Sequence, residues 1–128
     1  MQRIFIIDDS QIFRFTVKKL FSLVKFEGEV LEFENGRLAF DYLKAHEDWP
    51  ETWPDLILLD LNMPVMNGFE FLNAIHGEKT GLSGLKVHVL SSSIDPVDLK
   101  DAGVFPQVKG FISKPLTPAL VSNLLHTL

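Results

Sequence analysis

Five polar positions stand out because each comes at, or just after, the end of a short apolar run. Asp8 and Asp9 follow "IFII", Asp60 follows "LILL", Ser91 follows "VHVL", and Lys114 comes shortly after "GFI". Three carboxylates brought together repel one another, and a divalent cation relieves that repulsion. An oxygen-only ligand set favours a hard ion, Mg2+ (or Mn2+), with waters and a phosphate completing its shell. An aspartate carboxylate can itself take a phosphoryl group and become an acyl phosphate. A lysine ammonium beside it would neutralise charge on the transferred oxygens, and the Ser91 hydroxyl could hydrogen-bond the phosphoryl group. Each residue alone has a plainer explanation. Asp8 or Asp9 could cap a helix, Asp60 could sit in a turn, and a lysine before proline is usually solvated. Capping alone does not require carboxylates at two strand ends and a lysine at a third.

The elements that must position these groups are legible as an alternation. Apolar runs at Ile4–Ile7, Leu56–Leu59 and Val87–Leu90 lack a period of two, which fits parallel strands covered on both faces. "GFI" at Gly110–Ile112 is a shorter strand, and "EVLEF" at Glu29–Phe33 alternates and predicts a more exposed one. Ser10 is the expected N-cap of a helix running through Phe26. Asn35-Gly36 opens a second helix reaching about His46, and Asn67-Gly68 a third reaching about His76. Asp95-Pro96 and Thr117-Pro118 each place a capping residue before a proline in the first helical turn. Strand and helix therefore alternate five times, which predicts an open α/β sheet with helices on both faces and right-handed crossovers. In such sheets the ligand site lies outside the carboxyl ends of the strands. All five polar positions fall on that edge.

The bulk numbers fit one globular domain. The chain has 128 residues, and its net charge of −5 gives no basic excess for nucleic-acid binding. With no cysteine there can be no disulfide and no thiolate metal site. The apolar run at the N-terminus is too short for a signal peptide or a membrane span, so the expected location is cytoplasmic. His46, His76, His88 and His126 are too scattered to form a metal site, and none is read as catalytic.

The motifs "IIDDS", "LLDLNMPVMNG", "VLSSS" and "GFISKPL", in that order and spacing, resemble a receiver domain of the response regulators of two-component signalling. The resemblance spans the whole chain, residues 1–128, and leaves no output domain within it. It implies a flavodoxin-like, doubly wound, five-stranded parallel sheet of order 2-1-3-4-5 with five helices. It also implies a signalling domain rather than a true enzyme, catalysing only its own phosphorylation and dephosphorylation. Asp60 matches the phosphoacceptor, Asp9 the direct metal ligand, and Asp8 the acid that reaches the metal through water. Asn62 matches the position whose backbone carbonyl completes the metal shell. Ser91 matches the switch hydroxyl, Lys114 the lysine that contacts the phosphoryl group, and Phe111 the switch aromatic. The Lys114-Pro115 bond is commonly cis in the family. In the family, the positions of Asn62 and Ser93 lie near the path of the attacking water. The implied partners are a sensor histidine kinase or histidine phosphotransfer protein, and a downstream protein.

Some stretches depart from the family pattern. Gly103 and Pro106 would stop the fourth helix about two turns after Asp95. Gly103 to Lys114 is then a longer connection than usual, which bears on the face the family commonly uses for output. Phe111 lacks the hydroxyl of the usual tyrosine, which predicts an inward ring. On the first helix, Phe13, Val17, Leu20, Phe21 and Val24 form one face at about 100° per residue and are assigned to the core. Ile12, Phe15, Leu23 and Phe26 fall on nearly the opposite side. Ile12 and Phe15, with Pro115 nearby, are the expected docking patch for a phosphodonor helix. The loop "HEDWPETWP" is expected to cover the bottom of the sheet with its tryptophans.

Three other readings compete. The chain could be the receiver portion of a longer protein. It could be a phosphatase that forms an aspartyl-phosphate, but the acid such enzymes want two residues after the nucleophile is here Asn62. It could also be an interaction module that keeps the acids without using them.

Overall fold

The computed structural model describes residues 2–77, 81–92 and 95–128. Ser93 lies outside the described residues. The apolar runs become strands β1 (Arg3–Ile7), β2 (Glu29–Phe33), β3 (Leu56–Asp60), β4 (Val87–Ser91) and β5 (Val108–Ser113). Between and after them run α1 (Gln11–Leu23), α2 (Gly36–Ala45), α3 (Gly68–His76), α4 (Pro96–Gly103) and α5 (Pro118–Leu125). All strand pairs are parallel, in the order β2-β1-β3-β4-β5. This is the flavodoxin-like arrangement.

Side chains alternate across each strand, and in β1, β3 and β4 both sides are covered. Phe5, Ile7, Ile57, Leu59, Val87 and Val89 face one core with α2, α3 and Ala102 of α4. Ile4, Ile6, Leu56, Leu58, Leu90 and Ile112 face the other, with Val17, Leu20 and Phe21 of α1 and Val121 and Leu124 of α5. This explains why β1, β3 and β4 read as nearly unbroken apolar runs. Each such buried side chain contributes about 1.5–3 kcal/mol relative to exposure. Every residue of β3 is buried, so the strand that ends on Asp60 is a rigid platform.

All five helices begin where a capping residue predicts. Ser10, Asn35, Asn67, Asp95 and Thr117 each accept a backbone N–H from the first turn, and Asn67 forms a capping box with Glu70.

The ends differ more from expectation. Helix α1 stops at Leu23, not Phe26, because Lys25 takes the left-handed conformation (φ 59°). Lys25 N–H then reaches Ser22 O at 3.0 Å, and Phe26 N–H reaches Phe21 O at 3.0 Å. This is a Schellman closure, normally built with glycine. It turns Phe26 back onto Phe21, with ring centroids 5.4 Å apart. Phe26 therefore joins the core instead of the outer face. Helix α4 ends at Gly103 as predicted, and β5 begins earlier than Gly110. The extra residues in between are used for packing. Phe105 packs against the core and against His76, and Gln107 is buried with its amide 3.2 Å from His76 Nδ1. Trp53 packs on the core and donates to His46 O at 2.9 Å. Trp49 stays 53% exposed, so only one tryptophan covers the sheet's lower end.

Candidate functional site

The parallel register sets the site. Ile7 is level with Leu59, Asp60 with Leu90, and Ser91 with Ser113. The next residues after Ile7 and Ser113 are Asp8 and Lys114, so the polar groups emerge side by side on one edge. One carboxylate oxygen from each of Asp8, Asp9 and Asp60 lies within 4.8 Å of the others. Asp8 is fully buried, Asp60 nearly so, and Asp9 is exposed.

Asp8 is held on both oxygens. Its Oδ1 accepts from Ser10 N–H at 2.8 Å, and its Oδ2 accepts from the Lys114 ammonium at 2.6 Å. The same ammonium stands 3.8 Å from Asp60 Oδ2 and 4.3 Å from the centre of the Phe13 ring. Lys114 is fixed through its backbone as well. Its N–H donates to Ser91 O at 2.9 Å, and its bond to Pro115 is cis, as the resemblance implies. Burial pushes the Asp60 carboxyl above its ordinary pKa of 3.8. Lys114 opposes that rise, Asp8 and Asp9 add to it, and the Asn62 N–H, 3.4 Å from Asp60 Oδ1, opposes it weakly.

The donor set suits a hard divalent cation. It is three carboxylates with no nitrogen or sulfur, brought within reach of one another and only partly neutralised by one lysine. The side chain of Asn62 is exposed beside it.

The loop from β3 to α3 is tightly constrained. Val65 sits at φ 71°, an outlying conformation for a β-branched residue. Gly68 N–H donates to Leu61 O, and a Cβ on Gly68 would lie 2.6 Å from Asp60 O. Only glycine lets α3 start this close behind Asp60. Met66 O accepts from Gly36 N–H at 3.0 Å, which fastens the loop to α2.

Several features escaped the sequence reading. Phe13 packs half-buried against the core on the assigned face, but its ring face also lies under Lys114. Arg14 donates to Asp8 O at 2.6 Å and to Glu32 at 3.2 Å, joining α1, the Asp8 turn and β2. An arginine one turn into a helix that starts at the acids was a signal for this. Phe111 corrects an expectation. The residue is 43% exposed instead of tucked inside, and a Cβ added at Gly103 would lie 3.8 Å from its ring tip. Helix α4 is short and β5 is an edge strand, so the ring finds cover over the end of α4 and not inside. Ile12 and Phe15 are 80% and 61% exposed, and Pro115 is exposed too. Among the described residues, no helix is long and apolar enough to cross a membrane.

Comparison with known proteins agrees with this geometry. The family described as "Response regulator receiver domain" matches residues 4–126. The probable methanogenesis regulatory protein FilR2 of Methanothrix harundinacea is 30% identical over 89% of this chain and 72% of its own length. The nitrate/nitrite response regulator NarL of Escherichia coli K12 is 36% identical over 96% of this chain. The chain spans about half of NarL, 52% of its length. A crystal structure of a two-component response regulator from Cytophaga hutchinsonii superposes with a TM-score of 0.87 at 28% identity, covering 99% of this chain and 96% of that one. With five parallel strands in receiver order and a family match over nearly its whole length, this chain belongs to the response regulator receiver family.

Proposed function

We propose that this receiver takes a phosphoryl group onto Asp60 from a histidine kinase or a histidine phosphotransfer protein, and so changes its protein contacts. The observation that carries the reading is the Lys114 ammonium, 2.6 Å from Asp8 and 3.8 Å from Asp60, at the edge where three carboxylates meet.

The step balances simply. An Asp60 carboxylate oxygen attacks the donor phosphorus as the bond to the donor's histidine nitrogen breaks. The electron pair leaves with the imidazole, and an acyl phosphate remains. Asp60 must be ionised to attack, and Lys114 and the Asn62 N–H favour that form. Lys114 then compensates charge on the transferred oxygens. Asp8, Asp9 and Asp60, with the Asn62 backbone carbonyl, would hold Mg2+ (or Mn2+). Bound there, the ion supplies charge neutralisation for the phosphoryl oxygens. Ser91, at the end of β4, would answer the phosphoryl group with its hydroxyl, and Phe111 is the aromatic that would move with it. The phosphatase reading is disfavoured because Asn62 offers no carboxyl for acid–base work.

Incubation with acetyl phosphate and Mg2+ should add the mass of one phosphoryl group to the wild type and none to Asp60→Ala. A chelator should abolish the labelling. Labelling of both proteins, or of neither, would overturn the assignment of Asp60.

A further inference from the structure

We infer that Phe13 is a positioning residue for Lys114, acting through the face of its ring. This deepens the proposed function and rests on the reading of Asp60 as the phosphoryl acceptor.

Among the described residues, the ammonium of Lys114 stands near two carboxylates and one aromatic ring. Asp8 is fully buried and accepts a charge-assisted hydrogen bond at 2.6 Å. Asp60 is at 3.8 Å, beyond hydrogen-bond range. The Phe13 ring centre is at 4.3 Å, well inside the distance at which a cation is attracted to an aromatic face. Lys114 itself is only 17% exposed, so water screens these contacts weakly.

Asp8 alone would be a poor guide for this lysine. It is also one of the three carboxylates that would hold the metal, and a carboxylate shared with a cation binds an ammonium less strongly. A ring face is a partner that a metal does not take. It offers no acceptor lone pair, so it leaves the ammonium's remaining N–H donors free for phosphoryl oxygens. Its attraction is also broad in angle, so the ammonium can turn from Asp8 toward Asp60 and stay over the ring. Phe13 is anchored for this task. It sits on the first turns of α1, and its apolar body packs against the core shared by α1 and α5. No aliphatic residue of the same bulk would do the same.

The test separates ring electrostatics from bulk. Replacing Phe13 by mono-, di- and trifluorophenylalanine keeps its shape and progressively weakens the ring's negative face. The maximal rate of Asp60 labelling by acetyl phosphate should fall stepwise along the series, with little change in the half-saturating donor concentration or in thermal stability. Phe13→Leu should lower the rate about threefold to tenfold, the range a partly screened cation–π contact supports, and Phe13→Tyr should restore it. A second measurement needs no phosphorylation. In the metal-free protein, the Lys114 ε-methylene protons should show an upfield ring-current shift in NMR spectra. Phe13→Tyr should keep that shift and Phe13→Leu should lose it.

A labelling rate indifferent to fluorination, in a protein that still labels at Asp60, would overturn the role of Phe13 alone. An absent ring-current shift would overturn the contact itself. If no variant and no wild type labels, the function fails instead, and the NMR shift still decides whether the ring holds the lysine.

Discussion

At the scale of single residues, Asp60 is a carboxyl whose burial works against its charge. Burial pushes its pKa up from 3.8, and Lys114 offsets only part of that. The native state therefore holds a proton on Asp60 at a higher pH than the unfolded chain does. Above the raised pKa, the ionised carboxylate weakens the metal-free fold, and Asp60→Asn should be the more stable protein at neutral pH. As pH falls through the raised pKa toward 3.8, the wild type takes up its proton and the difference should close. Mg2+ should work in the opposite direction. A ligand that binds only the native state adds about 2.7 kcal/mol at a hundredfold excess over its Kd, and the variant should gain less. Urea unfolding at neutral and acid pH, with and without Mg2+, reads both effects. A variant less stable than the wild type in metal-free neutral buffer would contradict this account. The position of Asp60 was legible because an apolar strand ends on it. Its burial depended on how the loop closes behind it, which no local pattern records.

At the scale of elements, the helix starts were legible and the end of α1 was not. A helix start is fixed by one side chain accepting one N–H, so Ser10, Asn35, Asn67, Asp95 and Thr117 could be read directly. The end of α1 depended on Lys25 entering a conformation that the sequence usually marks with glycine, and so Phe26 was placed on the wrong side. The exposure of Phe111 likewise followed from how little of β5 the short α4 covers, a tertiary fact. Where a glycine is required by contact, the sequence does mark it. Gly68 lets the start of α3 lie against the backbone of Asp60 and Leu61, atoms that cannot swing aside. Gly68→Ala should therefore cost about 1–3 kcal/mol and move the Asp60 amide resonance, because relief requires the loop to shift. Chemical unfolding and an amide spectrum test this together. A loss under about 0.5 kcal/mol, the ordinary scatter of surface changes, would mean that the close approach is not a constraint.

At the scale of the whole molecule, the proposed docking face on α1 can be tested apart from the carboxylate edge. The carboxylates and Lys114 occupy one edge, and the first turns of α1, which start two residues after Asp9, carry exposed apolar side chains. Ile12 and Phe15 stand there largely exposed, beside an open groove of about 410 Å3 lined by Gln11, Phe15, Lys18, Lys19, Ser22 and Glu32. Helical periodicity already put Ile12 and Phe15 opposite the core. It did not show that Lys19 leans over the Phe15 ring at 5.3 Å or that Lys18 pairs with Glu32 at 3.1 Å. An aromatic anchor among charges suits a helical donor that must bring its phosphohistidine to Asp60, and burying that anchor is where such contacts gain most of their energy. Phe15→Asp puts a charge where the donor helix would remove water. Phosphotransfer from a phosphorylated kinase or phosphotransfer protein of the same organism should slow by about tenfold or more. Acetyl phosphate needs no docking face, so its labelling of Asp60 should stay within about twofold, since an exposed substitution shifts stability little. Equal losses with both donors would mean that the substitution reaches the carboxylate edge, and the α1 face would lose its claim as the docking surface.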